Sequence, residues 1–173
     1  MSMHSGPSVT TDEYLAIERA AEFRSEFVGG EKLPMQGGTM VVSNALFQLM
    51  SQLPGGRCRA VANDLRLFSQ AHRVFTYPDI VVTCGPPVFL DPRRDTIVDA
   101  TAIIEVLSPS TKSYDRGEKF AFYRSLPAFA EYLLLGRDEV RAEHHARQAM
   151  APGCCGNSLR AETRLNWFPL GAR

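Results

Sequence analysis

The sequence of 173 residues lacks a long hydrophobic run, an excess of charge of either sign and an N-terminal leader pattern. No apolar stretch is long enough to cross a bilayer, and the opening residues MSMHSGPSVTTDEY contain no apolar segment typical of a signal peptide. We therefore expect no membrane association and a cytoplasmic location. Nineteen basic and nineteen acidic side chains give a formal net charge of zero. Any binding of nucleic acid must then depend on a local basic patch.

Cysteine is scarce and its spacing excludes the common cysteine motifs. The four cysteines are Cys58, Cys84, Cys154 and Cys155, and no two of them form a C-x-x-C pair. A zinc site or a disulfide framework is therefore not expected. In a cytosolic protein the thiols should be reduced. The sequence also contains no P-loop, because no glycine pair is followed by Gly-Lys-Ser/Thr.

The first half of the chain predicts two helices. Thr10 and Glu13 have the spacing of a capping box. Apolar residues at helical spacing then predict one helix that continues to Gly29-Gly30; they are Tyr14, Ile17, Ala21 and Val28. The stretch SNALFQLMSQL, from Ser43 to Leu53, predicts a second helix.

The second half predicts strands around a third helix. Short apolar runs, RCRAVA, DLRLFS, RVFTY, DIVVTC and TAIIEVL, are typical of strands. Capping-box spacing of Asp115 and Glu118 predicts a helix that starts there and ends before Pro127. The runs AEYLLLG and EVRAEHHARQ predict two paired strands. This order predicts an α/β or α+β fold, a mixed sheet flanked by helices.

The length fits one domain over residues 1–173. Residues 1–10 are expected to be a flexible lead-in. Residues 149–173 form a divergent tail without helical or strand periodicity, so Ala149 to Arg160 is predicted to be irregular and mobile.

Two carboxylates interrupt the apolar strands. Asp79 stands at the head of DIVV, and Glu105 lies inside AIIEVL, on the same strand face as Ile103 and Leu107. If these strands pair, the carboxylates approach within a few ångströms and repel unless a cation lies between them or one acid is protonated. An all-oxygen pair suits Mg²⁺, which keeps several waters. The alternative is that each carboxylate caps a turn or meets an arginine.

The joint pattern resembles the Uma2 family, a bacterial group with the PD-(D/E)xK nuclease fold. The matching stretches run roughly from Thr11 to Arg147 and include YPDIVVTCGPP, IIEVLSPSTKSYDRGEK and EYLLL. The resemblance implies a restriction-endonuclease-like core, a Mg²⁺ or Mn²⁺ cofactor and DNA as the partner. It implies that Asp79 and Glu105 bind metal and that Glu26, on the first helix, points into the site. A backbone carbonyl near Val106 would complete the metal shell.

One position departs from the nuclease signature. The signature lysine two residues beyond the glutamate is here Leu107. The family pattern implies that a downstream lysine replaces it, and Lys119 is the matching candidate, with Lys112 as the alternative. Without the resemblance, Lys119 would be interpreted as a helix-surface residue paired with Asp115 at i, i+4.

The sequence therefore predicts a Mg²⁺-dependent endonuclease that hydrolyses DNA phosphodiester bonds. Asp79, Glu105, Lys119 and Glu26 are its predicted catalytic residues. The alternative is a nuclease-fold binding or regulatory module that is catalytically weak or inactive, which the missing strand lysine and the neutral charge favour. By analogy with other nucleases of this fold, a homodimer is expected.

Overall fold

The computed structural model describes residues 9–35, 40–53, 56–147 and 159–163. Its helical segments are α1 (Thr11–Ala20), α2 (Met40–Gln52), α3 (Lys112–Tyr114), a π-helical turn (Asp115–Lys119) and α4 (Phe120–Arg124). The last three follow one another without a break. Within the described ranges, no helix has the length and apolar character needed to cross a membrane.

The strands form two sheets. The five-stranded sheet has the order β2-β1-β5-β4-β7, with β1 (Ser25–Val28), β2 (Glu31–Pro34), β4 (Arg66–Ser69), β5 (Val74–Thr76) and β7 (Thr96–Ile97). The six-stranded sheet has the order β11-β10-β9-β8-β6-β3, with β3 (Cys58–Ala62), β6 (Ile80–Cys84), β8 (Ala102–Leu107), β9 (Glu131–Gly136), β10 (Ala142–Arg147) and β11 (Leu159–Thr163). Each sheet contains both parallel and antiparallel pairs, so the α+β prediction is confirmed, with two mixed sheets in place of one.

Alternation along β6 and β8 divides the core into two clusters. Val81 and Ile103 face one side, where they pack against the five-stranded sheet and α4. Ile80 and Ile104 face the other side, where they pack under α2. Because Glu105 alternates with its neighbours, it points to the α4 side. The strand therefore delivers one carboxylate into the space between its sheet and the helix.

The first predicted helix is too long. Helix α1 ends at Ala20, although its capping box at Thr10 and Glu13 forms as predicted. Residues from Ser25 onward instead form a hairpin, in which Gly29 and Gly30 both have positive φ angles of 59° and 87°. Two central residues with φ above zero fit a tight hairpin turn, which glycine enters without steric cost. The glycine pair therefore forms the turn between β1 and β2 and does not end the helix, which stops at Ala20.

Three further predictions need correction. Helix α2 begins at Met40, before Ser43. The third helical stretch begins at Lys112, so Asp115 lies inside it and does not cap it. Cys58 and Cys84 form a disulfide bond. They are directly opposite each other in the antiparallel β3–β6 pair, and this register, which spacing along the chain does not reveal, brings the thiols together.

The ends of the chain lie mostly outside the description. Residues 1–8 of the predicted lead-in, and residues 148–158 and 164–173 at the C-terminal end, are outside the described residues. Leu159–Thr163 forms β11 and pairs with β10. The prediction of an irregular segment is therefore wrong at positions 159 and 160, because backbone pairing with β10 supplies the order that side-chain periodicity did not indicate.

Candidate active site

A cleft of about 200 Å³ opens where the two sheets meet. The segment Tyr77-Pro78-Asp79 links β5 of one sheet to β6 of the other, so it crosses this junction. Acidic residues and one lysine line the cleft; they are Glu26, Asp79, Glu105, Asp115 and Lys119. Three predicted carboxylates and the predicted lysine therefore converge on one place.

Asp79 and Glu105 approach through the pairing of β6 with β8. The register joins Ile80 to Ile104, so the two acids stand opposite each other at the next position along. The Asp79 backbone N–H donates to Glu105 Oε2 at 3.3 Å, and the Val106 N–H donates to Asp79 Oδ2 at 2.7 Å. Each carboxylate is thus held by the backbone next to the other, on the same side of the sheet.

Lys119 lies within reach of three carboxylates. Its Nζ is 3.0 Å from Glu26 Oε1, 3.2 Å from Glu105 Oε1 and 3.6 Å from Asp115 Oδ1. The residue is only 7% exposed, so it is not a surface lysine with a single i, i+4 partner. Lys112, the alternative, is exposed at the start of α3 and does not line the cleft.

Glu26 enters the cleft from a strand. It lies on β1 of the five-stranded sheet, which corrects the prediction that it belongs to the first helix. Its Oε1 accepts from the Tyr77 N–H at 3.1 Å as well as from Lys119. Its Oε2 accepts from the Tyr114 hydroxyl at 3.4 Å. Both oxygens are therefore engaged by the protein itself.

Two contributors were not identified from the sequence. The sequence pattern indicates Asp115 only as a helix cap and as a surface partner of Lys119, yet it is 3% exposed and faces the cleft. The Tyr123 hydroxyl donates to Glu105 Oε1 at 2.6 Å from a fully buried position. Both lie four residues from Lys119, on the same face of the helical stretch. Once Lys119 is assigned to the site, this spacing indicates that Asp115 and Tyr123 lie beside it.

The site has more negative than positive charge. The pKa of Glu105 is raised to about 8, mainly by burial; the nearby carboxylates of Asp79 and Asp115 contribute to the rise and Lys119 opposes it. Burial also raises the pKa of Asp79. For Lys119, burial opposes the charged form, but its carboxylate neighbours outweigh this and hold its pKa well above the usual value. A second positive charge would relieve the remaining repulsion.

The donor set fits a hard divalent cation. Within the described ranges, no three His, Cys, Asp or Glu side chains already form a metal-binding group. Mg²⁺ does not require such a group, because one or two carboxylates suffice when waters and substrate oxygens complete its shell. Asp79 and Glu105 provide two carboxylates side by side. In a strand the N–H and C=O of one residue point toward the same neighbour, so the Val106 carbonyl faces the Asp79 edge too.

Comparisons with known proteins identify relatives of this chain. Residues 11–155 match the model of the Uma2 family, described as "Putative restriction endonuclease", which extends the predicted resemblance beyond Arg147. Two proteins of Synechocystis sp., sll1609 and slr1290, are each 34% identical over 143 residues. These alignments cover 80% and 79% of this chain, and 81% and 73% of the two relatives.

A solved structure shares the fold. It is described as a "putative nuclease belonging to DUF820" from Anabaena variabilis, with a TM-score of 0.64 and 20% sequence identity. The superposition covers 90% of this chain and 83% of that one. On the match over residues 11–155 and the identity to the two Synechocystis proteins, this chain belongs to the Uma2 family.

Proposed function

We propose that this protein is an endonuclease that uses Mg²⁺ or Mn²⁺ to hydrolyse DNA phosphodiester bonds in the cleft between its two sheets. The observation that carries the proposal is the convergence of Asp79, just before β6, with Glu105 of β8 and Lys119 of the π-helical turn. The family description and the nuclease-like neighbour support the reaction class. We further propose that the chain acts as a single domain.

Each residue has a distinct proposed role. Asp79, Glu105 and the Val106 carbonyl would hold the metal ion, which neutralises phosphate charge and lowers the pKa of a bound water. Lys119 would orient the attacking water and stabilise charge that develops on the phosphoryl oxygens. Glu26 binds Lys119 and the Tyr77 backbone, so it would fix the lysine and tune the electrostatic field at the metal.

One variant tests this reaction directly. Purified protein should nick or linearise plasmid DNA with Mg²⁺ or Mn²⁺ and leave it intact with EDTA. Asp79→Asn should abolish this activity while circular dichroism stays that of the parent, because the amide keeps the shape but loses the charge. Glu22→Gln is a matched control, since Glu22 is an exposed acid outside the cleft. Equal cleavage by Asp79→Asn and the parent would exclude Asp79 as a ligand.

A second function has a specific observation in its favour. Lys119 is already engaged by three carboxylates, and an engaged lysine is less available to a phosphate. A nuclease-fold module that binds nucleic acid without turnover would fit this arrangement. This alternative predicts that the protein binds DNA in Ca²⁺ but does not cleave it in Mg²⁺ or Mn²⁺. The absence of cleavage should hold at every protein concentration up to that of the DNA.

Assembly and location remain part of the proposal. A homodimer would bring two clefts to one duplex, and sedimentation at working concentration should then give twice the chain mass of 19.2 kDa. We also propose a cytoplasmic location, where the Cys58–Cys84 disulfide would be an exception because the cytosol keeps most thiols reduced. Thiol labelling of the protein in freshly lysed cells would show whether the bond forms there.

A further inference from the structure

The carboxyl ends of β8 and β9 meet at the rim of the cleft. These strands are parallel and pair as far as Leu107 and Gly136, so the segments that follow them emerge side by side. Ser108, Ser110 and Thr111 follow β8, and Arg137 follows β9; all four line the cleft. The Arg137 N–H donates to the Leu107 carbonyl at 3.2 Å, which ties the two segments together.

The hydroxyl groups of this rim form one cluster. Ser108 Oγ is 2.9 Å from Ser110 Oγ and 3.0 Å from Thr111 Oγ1. It also accepts the Thr111 N–H at 3.2 Å. Ser108 is buried and anchors the cluster, whereas Ser110 is exposed. A hydroxyl can rotate its proton toward a new acceptor, so the outer member can donate to an anion at the mouth of the cleft.

Arg137 supplies a positive charge at the same rim. Among the described residues that line the cleft, the cations are Lys119 and Arg137, and Lys119 is held by carboxylates. The Arg137 guanidinium pairs with its neighbour Asp138 at 3.1 Å, and the two side chains are 38% and 65% exposed. Such exposed pairs contribute little, so a phosphate can displace Asp138 and bind the guanidinium in bidentate fashion.

A nucleic acid needs this contact because four carboxylates repel its backbone from the cleft. A metal ion would offset that repulsion at the scissile phosphate, but the neighbouring phosphates need positive charge and donors of their own. We propose that Arg137, with the hydroxyls of Ser110 and Thr111, binds a backbone phosphate of the substrate next to the scissile one. This inference rests on the proposed function and names the residues that hold the substrate strand.

The test is DNA binding without cleavage. A fluorescent 30-base-pair duplex is titrated with protein in Ca²⁺ between 50 and 300 mM NaCl, and anisotropy gives the dissociation constant at each salt concentration. Loss of one charged phosphate contact in Arg137→Ala should weaken binding by about tenfold at low salt. It should also reduce the slope of log K against log[salt] by about 0.9. In Mg²⁺ the variant should raise KM with kcat nearly unchanged, because the contact is made equally in the ground and transition states.

The same turn offers a matched control. Arg141 is an exposed arginine that pairs with Glu143 and does not line the cleft, so Arg141→Ala should keep the parent affinity and salt slope. Ser110→Ala should weaken binding by about threefold without changing the slope, since it removes a neutral donor. If Arg137→Ala matched Arg141→Ala in affinity and slope, the inference alone would be overturned. If the parent itself did not bind the duplex, the proposed DNA substrate and this inference would both be overturned.

Discussion

Removal of the buried Lys119 ammonium should lower the free energy of unfolding strongly. Its Nζ contacts three carboxylates between 3.0 and 3.6 Å, and each of these partners has less than a tenth of its side chain exposed. Lys119→Met keeps an unbranched stem of similar length but removes the charge. The variant leaves a group of buried carboxylates without their cation.

The size of the effect follows from desolvation. Breaking a buried ion pair by removing one partner costs about 3–5 kcal/mol, because the remaining charge stays buried without compensation. We therefore expect the free energy of unfolding to fall by about 3–5 kcal/mol. For a chain of this size that corresponds to a drop in Tm of about 6–20 °C. Guanidinium unfolding followed by far-UV circular dichroism, without divalent metal, measures the loss.

Two further variants make the measurement decisive. Lys112→Met removes an exposed lysine from the same helical stretch and should change stability by less than about 0.5 kcal/mol. The double variant Glu26→Gln with Lys119→Met removes a partner charge as well, so its cost should be smaller than the sum of the two single costs by about 0.5–3 kcal/mol. If Lys119→Met were as stable as Lys112→Met, Lys119 would not be the buried partner of these carboxylates.

Three other predictions concern neighbouring features. Tyr123→Phe removes the hydroxyl that holds Glu105 Oε1; Mn²⁺ affinity, measured by electron paramagnetic resonance, should fall about 10–100-fold, and an unchanged affinity would contradict this role. The bond from Arg19 lowers the pKa of Asp95 to about 2, so this partly exposed pair stabilises the fold by about 1 kcal/mol above pH 4. The stability difference between parent and Asp95→Asn should then disappear as the pH falls from 4 to 2, and a constant difference would refute it. Reduction of the disulfide that closes 26 residues should cost about 3.5 kcal/mol in guanidinium unfolding, and equal midpoints with and without reductant would show that the bond does not constrain the unfolded chain.

The approach of Asp79 to Glu105 was predictable on the condition that their strands pair, because the strand pattern around each acid is local. β-Branched residues follow Asp79 and flank Glu105, which indicates strands, and strict alternation assigns Glu105 to the face of Ile103. Antiparallel pairing of β6 with β8 then places the two carboxylates together. The same reasoning could not identify Tyr123, because a buried tyrosine on an amphipathic helix looks like any other core residue until its hydroxyl has a partner.

The strand position of Glu26 was not predictable from apolar spacing. The segment that follows α1 contains no residue that forbids a helix, so local preference does not mark the end at Ala20. The strand forms because Phe27 pairs with Phe75 across the sheet and packs beside Tyr14, and these contacts are distant in sequence. The one local indication was the Gly29-Gly30 pair between two short runs, which is typical of a hairpin.

The structure explains why Leu107 can stand where the nuclease signature has a lysine. Leu107 lies on the Glu105 face of β8 but is buried in the core cluster with Leu126 and Phe129. The charge that a strand lysine would bring comes instead from Lys119, at the end of the π-helical turn. The Tyr132 hydroxyl donates to the Asp115 carbonyl at the start of that turn at 2.9 Å. π-Helical turns often occur at functional sites, and this one aims an acid and a lysine at the same cleft. The chain thereby has an apolar side chain in the core at position 107 and a positive charge at the cleft from Lys119. One side chain at position 107 could not fill both roles.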